Sequence, residues 1–268
     1  MKAATLLLFL VLPAGVLRPE VVPGVQDIVF TAACDGSQQH YMLLLPHSFE
    51  PGVPHDLLIA LHGQGADRHQ FMQRSRGETQ ATLEVAAAYA LILVTPDYRA
   101  PASWMGPRAE SDLTQIIGEL KSRYRIRHLI LSGASMGGTG ALTYTALHPE
   151  IVDAVVAMNG TANLLEYDNY QPAISTSFGG AKDHIPAEYK RRSAEYWPER
   201  FTMPVALTIG GHDTTVPPDS VLRLAAILHN LKTPVFLMHR PDGGHETNLA
   251  DAKAALEFAV QVLAERVR

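Results

Sequence analysis

Ser135 lies in the stretch Gly133-Ala134-Ser135-Met136-Gly137, which fits the pattern G-x-S-x-G. A serine hydroxyl is a poor nucleophile at neutral pH. It attacks a carbonyl when a base takes its proton and an acid orients that base. Two later loops offer such partners: Asp213 in GGHDTTVPP and His245 in RPDGGHET. The order serine, acid, histidine is the one in which three strand-end loops bring these groups together at one sheet edge. The chemistry indicated is acyl transfer to Ser135, with His245 as base and Asp213 as its orienting acid.

Attack on a carbonyl also needs donors for the developing oxyanion. Met136, just after the nucleophile, supplies one backbone N–H. The second is expected from His62-Gly63-Gln64-Gly65, which follows the apolar run DLLIAL. Gln64 is assigned this role, with Gly63 as the alternative, and His62 is read as orienting the loop. Other candidates fit less well. His212 lies on the wrong loop for the base, and His239 is expected inside a strand. Asp242 suits a turn with Gly243, and Glu246 is expected in the first turn of the last helix, where an acid complements the dipole.

These loops need elements to carry them. Val25–Ala33 and His40–Leu45 read as a hairpin turning at Asp35-Gly36. Further strands are expected at Asp56–Leu61, Ala90–Thr95, His128–Ser132, Asp153–Met158, Val205–Ile209 and Val235–His239. Helices are expected at Glu78–Tyr89, Glu110–Tyr124, Thr139–Leu147, Ser220–Leu231 and Thr247–Val267. In the second of these, Leu113, Ile116, Ile117 and Leu120 share one face. Apolar strands alternating with helices predict an α/β fold, with a mostly parallel sheet covered on both faces. The alternation breaks at about 160–203. That insertion carries Tyr167, Tyr170, Tyr189, Tyr196 and Trp197 and reads either as a substrate-contacting lid or as a plain connection. With Tyr98 and Trp104, it could supply an aromatic lining to the substrate pocket, or simply pack beneath a loop.

The ordered set LHGQG, GASMGG, GGHDTTVP and GGHE resembles the α/β-hydrolase superfamily. Within it, the chain looks like the esterases and peptidases related to the prolyl oligopeptidase catalytic domain and to feruloyl and acetylxylan esterases. The likeness runs from about Tyr41 to the C-terminal helix. It implies an α/β-hydrolase fold, a Ser135–His245–Asp213 triad, and no metal or organic cofactor. The large N-terminal propeller of the oligopeptidases has no counterpart in this sequence, which favours ester substrates over peptides. The expected substrate is a small-molecule or polysaccharide ester, feruloylated or acetylated. A small serine peptidase is the alternative, and a non-catalytic binding protein on the same fold is a more distant one.

Composition agrees with a globular enzyme. Of the 268 residues, 47% are hydrophobic and 18% charged, enough apolar content to build a core. The net charge of −5, with no basic run longer than Lys190-Arg191-Arg192, argues against a nucleic-acid partner. The histidines show no metal-ligand spacing such as HExxH. The one cysteine, Cys34, cannot form an intrachain disulfide and is expected to be a small buried residue on a strand. At the N-terminus, Met1-Lys2 precedes AATLLLFLVL, an apolar run of about ten residues. A bilayer span needs about 20. Residues 1–17 therefore read as a signal peptide with an ill-defined cleavage site, a misassigned start or uncleaved anchor being the alternatives. The domain is expected to span 25–268 in a secreted or periplasmic protein, with no stable membrane insertion once the signal is removed.

Overall fold

Strands whose side chains are apolar on both faces must be covered on both faces, and the central strands of this chain are arranged accordingly. The computed structural model describes residues 24–266, so the expected signal peptide lies outside the described residues. β1 (Gln26–Thr31) and β2 (Gln38–Leu44) form the expected antiparallel hairpin, with Ile28 opposite Tyr41. β3 (His55–Leu61), β4 (Ile92–Pro96), β5 (Ile126–Ala134), β6 (Ala154–Met158), β7 (Val205–Gly210) and β8 (Val235–Arg240) all run parallel. The order across the sheet is β1-β2-β4-β3-β5-β6-β7-β8, with β2 antiparallel to β4.

The helices are α1 (Gly77–Ala88), α2 (Pro107–Arg123), α3 (Met136–Leu147), α4 (Gln171–Phe178), α5 (Pro186–Arg191), α6 (Asp219–Asn230) and α7 (Leu249–Arg266). Alternate strand residues feed two separate cores. Leu57, Ile59 and Leu61 of β3 pack with Leu113 of α2, Leu142 of α3 and Leu224 of α6. Leu58 and Ala60 point the other way, to Leu83 of α1 and Leu256 of α7. Each fully buried Leu or Ile in these layers contributes about 1.5–3 kcal/mol. Among the described residues, no helix is long and apolar enough to cross a membrane.

Three local expectations are corrected. Helix α3 begins at Met136, not Thr139, so Gly137, Gly138 and Gly140 are helical despite their low propensity; close packing on the sheet overrides it. Helix α7 begins at Leu249 because Asn248 caps it, its Oδ1 accepting the Asp251 N–H at 2.9 Å. Glu246 is thus outside the helix and exposed. Cys34 is exposed in a turn, not buried on a strand. β1 ends at Thr31, and Arg99 draws the turn onto charged partners, donating to Cys34 Sγ at 3.2 Å and to Asp35 Oδ2 at 2.7 Å.

The segment between β6 and β7 is fastened to the body by a buried cation. Arg192 just after α5 has a side chain 0% exposed. It donates to Glu110 Oε2 at 2.7 Å, to Glu188 Oε1 at 2.6 Å and to the Met105 carbonyl at 2.6 Å, with the Phe178 ring beside it. Its charge is thereby paired and its donors used, as a buried arginine requires. His148 Nε2 lies 2.9 Å from Glu110 Oε1. Burial alone would raise the Glu110 carboxyl, but the His148 hydrogen bond and the charges of Arg192 and Arg191 outweigh it, lowering its pKa from 4.5 to about 2.

A carboxyl whose pKa is depressed on folding stabilises the fold above its unfolded pKa and stops doing so as pH falls through the folded value. This contribution is complete above about pH 4.5 and disappears towards about pH 2. Glu110→Gln is expected to destabilise the protein at pH 7 by roughly 2 kcal/mol, the scale of a hydrogen bond to a charged group. The difference from wild type should shrink as pH falls below 4.5. Chemical denaturation of both proteins across this range checks it.

Candidate active site

The strand-to-helix turn at Ser135 has a backbone that most residues avoid. Ser135 has φ 58° and ψ −121°, a conformation an L-residue holds only when its surroundings impose it. Here β5 and α3 impose it. A Cβ on Gly137 would overlap the Leu61 carbonyl, and one on Gly133 would overlap Gly137, so only glycine permits this approach of helix to sheet. The Ser135 N–H donates to Met158 O at 2.8 Å, which pins the turn to β6. The Ser135 hydroxyl is left partly accessible above the sheet edge.

The structure brings the three predicted residues together. His245 Nε2 lies 2.8 Å from Ser135 Oγ, and His245 Nδ1 lies 2.6 Å from Asp213 Oδ2. Asp213 is 4% exposed, and its other oxygen accepts the N–H groups of Thr215 at 2.9 Å and Val216 at 2.8 Å. With Oδ1 occupied by backbone donors, Oδ2 is held towards the imidazole. The two loops are joined through main chain: His212 N–H donates to Gly243 O and Gly211 N–H to Arg240 O, both at 2.8 Å. Asp242 sits in the turn closed by Gly243 N–H to Arg240 O, and His239 is in β8, as expected.

The loop after β3 distinguishes the two oxyanion candidates. Gly63 N–H already donates to Gln70 Oε1 at 2.8 Å. Among the described residues, the Gln64 N–H meets no acceptor. Met136, the first residue of α3, also has no intrahelical acceptor for its N–H. His62 is 1% exposed, with its ring nitrogens near Gly63 O and Asp97 O, and Tyr98 donates to His62 O at 2.6 Å. Trp104 Nε1 donates to Gln64 Oε1 at 2.7 Å.

A cavity of about 460 Å³ opens over Ser135 and His245. Its wall is mostly polar, including Gln73, Ser75, Glu78, Asn159 and Glu246. The expected aromatic lining is not there: Tyr98 and Trp104 are buried behind the loop, and from the insertion only Tyr170 reaches the cavity. Trp104 instead packs on Tyr167 and Tyr170, with ring centroids 5.5 Å apart in both pairs. The alternative reading of the aromatics, as packing beneath a loop, describes them better.

Several site residues escaped the sequence reading. Asn159, with φ 49°, accepts a hydrogen bond from Thr247, which lies 2.7 Å from Thr208. This buried chain supports the His245 loop from β6 and β7. Its only sequence signal is a position just past a strand end. Glu78 also lines the cavity, hidden in what reads as an ordinary acidic first turn. Among the described residues, no group of three or more His, Cys, Asp or Glu side chains is arranged to hold a metal ion.

Comparison with known proteins agrees with this architecture. Among solved structures, a puromycin hydrolase superposes with a TM-score of 0.72 at 18% identity, covering 90% of this chain and 40% of that one. A ferulic acid esterase gives 0.67 at 19%, covering 88% and 97%. An S-formylglutathione hydrolase from Agrobacterium tumefaciens gives 0.66 at 17%, covering 94% and 99%. These likenesses establish a shared α/β-hydrolase fold. The chain spans about two-fifths of the puromycin hydrolase and nearly all of the esterase. No curated protein matches the sequence. The model of the prolyl oligopeptidase family matches residues 103–266, more than half of the chain and the part that holds Ser135, Asp213 and His245. By that match, the chain belongs to the prolyl oligopeptidase family.

Proposed function

We propose that the protein is a serine hydrolase that cleaves carboxylic esters through an acyl-enzyme. The observation that carries this reading is the unbroken contact chain from Asp213 through His245 to Ser135, which ends in a polar cavity. In this mechanism Ser135 Oγ attacks the ester carbonyl while His245 Nε2 takes its proton. Asp213 holds the imidazole with Nδ1–H towards itself and stabilises the imidazolium that forms. The N–H groups of Gln64 and Met136 receive the oxyanion, aided by the positive end of α3. His245 then protonates the departing alcohol, and water, activated by the same imidazole, releases the acid.

Peptide hydrolysis is the second reading, and the family match favours it. Ester substrates are preferred here because a ferulic acid esterase and an S-formylglutathione hydrolase share this fold over 97% and 99% of their own length. A mostly polar cavity with a single aromatic wall residue suits a small acyl group such as acetyl better than a feruloyl ring.

A fluorophosphonate probe is expected to label Ser135, and Ser135→Ala to abolish both labelling and p-nitrophenyl acetate turnover. Turnover that survives the substitution refutes the assignment. Asp213→Asn should keep the fold and lower kcat by about 10⁴-fold, the loss seen when a triad acid is neutralised. Steady-state kinetics with aryl acetates and aminoacyl amides side by side measures this loss and decides between ester and peptide.

A further inference from the structure

Glu78 is a carboxylate the mechanism above does not use. It is the second residue of α1, is 7% exposed, and lines the cavity that holds Ser135 and His245. Among the described residues, no other residue donates a hydrogen bond to its carboxylate, which takes only its own backbone N–H. Its nearest cation is Arg76 Nη1 at 3.9 Å, on a side chain 70% exposed to solvent. Withdrawing a carboxylate from water with so few donors is unfavourable, and a donor in the open space beside it would offset that cost. The open space next to Glu78 is the cavity itself.

Its position indicates which part of a substrate it would meet. Gly77 is wedged against the loop that carries His245: a Cβ there would fall 2.6 Å from the Asn248 carbonyl carbon and 2.8 Å from Thr247 O. Glu78 therefore belongs to the wall on the His245 side. In ester cleavage, the histidine returns its proton to the leaving alcohol, so this wall faces the alcohol portion and not the acyl portion. Gln73 and Ser75 extend the same wall with neutral polar groups.

Either a hydroxyl or an ammonium could fill the carboxylate's acceptor sites, and the surroundings favour the hydroxyl. Arg76 already supplies a positive charge nearby. Burial holds the Glu78 carboxyl above its ordinary range, with its own backbone N–H and the charges of Arg76 and His245 opposing it only in part, which matches neutral donors better than a cation.

We propose that Glu78 is a specificity-determining residue that accepts a hydrogen bond from a hydroxyl on the substrate's alcohol portion, so that the preferred esters are those of polyhydroxylated alcohols. This inference rests on the Ser135 hydrolase reading. Glycerol monoacetate and propyl acetate share their acyl group and differ only in two hydroxyls, so their ratio of kcat/KM isolates the alcohol. Wild type is expected to favour glycerol monoacetate by about 10- to 100-fold, the worth of a hydrogen bond to a charged group. Glu78→Leu should bring the ratio close to one, and Glu78→Gln to an intermediate value. Fluorophosphonate labelling of Ser135 checks that each variant keeps a folded site, and the two variants serve as independent tests. A flat wild-type ratio, or a ratio unchanged in both variants while Ser135 still labels, overturns the role of Glu78 alone. Preference for acetylcholine over glycerol monoacetate overturns it in favour of cation recognition. Failure of the wild-type Ser135 to label removes the hydrolase reading and this inference with it.

Discussion

The rest of the site depends on how closely α3 approaches the sheet. Ser135 occupies a left-handed backbone conformation because the chain must reverse from strand to helix with almost no space between them. Gly133 and Gly137 make that space sufficient, since any side chain there would collide with main chain. The cost of the strained turn, of order 1–3 kcal/mol, is offset by the two cores that clamp β5 and α3 in place. One consequence is a partly accessible hydroxyl. Another is a helix whose first N–H groups, free of intrahelical acceptors, begin right beside it. The Ser135 hydroxyl and these free donors are thus products of a single packing constraint.

The remaining groups are positioned by main chain more than by side chains. Backbone hydrogen bonds lock the Asp213 loop to the His245 loop, and Gly210 and Gly211 let them lie against Pro241, Gly243 and Gly244. Asp213 is held by two backbone N–H groups, and Gly63 is held by Gln70, which leaves Gln64 as the free donor. Each functional atom is set by neighbours that are themselves buried or bonded. A rigid surround of this kind is what lets hydrogen-bond donors act without reorganising during a reaction.

Much of this was legible in the sequence. The alternation of apolar runs with amphipathic stretches identified all eight strands and the five long helices, because strands covered on both faces are mostly apolar. That Ser135, Asp213 and His245 would come together was legible because each follows a strand end. What escaped depends on contacts between distant parts of the chain. Asn159 and Thr247 meet only because β6 and β8 both end at the same sheet edge, and nothing local marks them. Cys34 was misplaced because its environment is set by Arg99 and Asp112, far along the chain. Glu78 carries no sequence signal beyond a favourable helix position. The aromatic residues illustrate the same difficulty: composition showed that they were present, but not that Trp104 and Tyr98 would turn inward to brace the loop that carries Gln64.

The buried arginine of the insertion has an implication for how this protein could change. Arg192 grips the Met105 carbonyl, Met105 adjoins Trp104, and Trp104 holds the side chain of Gln64. Residues 160–203 are therefore linked through Arg192 to the loop that carries Gln64, and substitution of Arg192 would be felt there. Another rim of the cavity is free of that coupling: Ser75 and Arg76, which line it, are exposed. Substitutions on that rim would reshape the cavity wall while leaving the Ser135–His245–Asp213 contacts untouched.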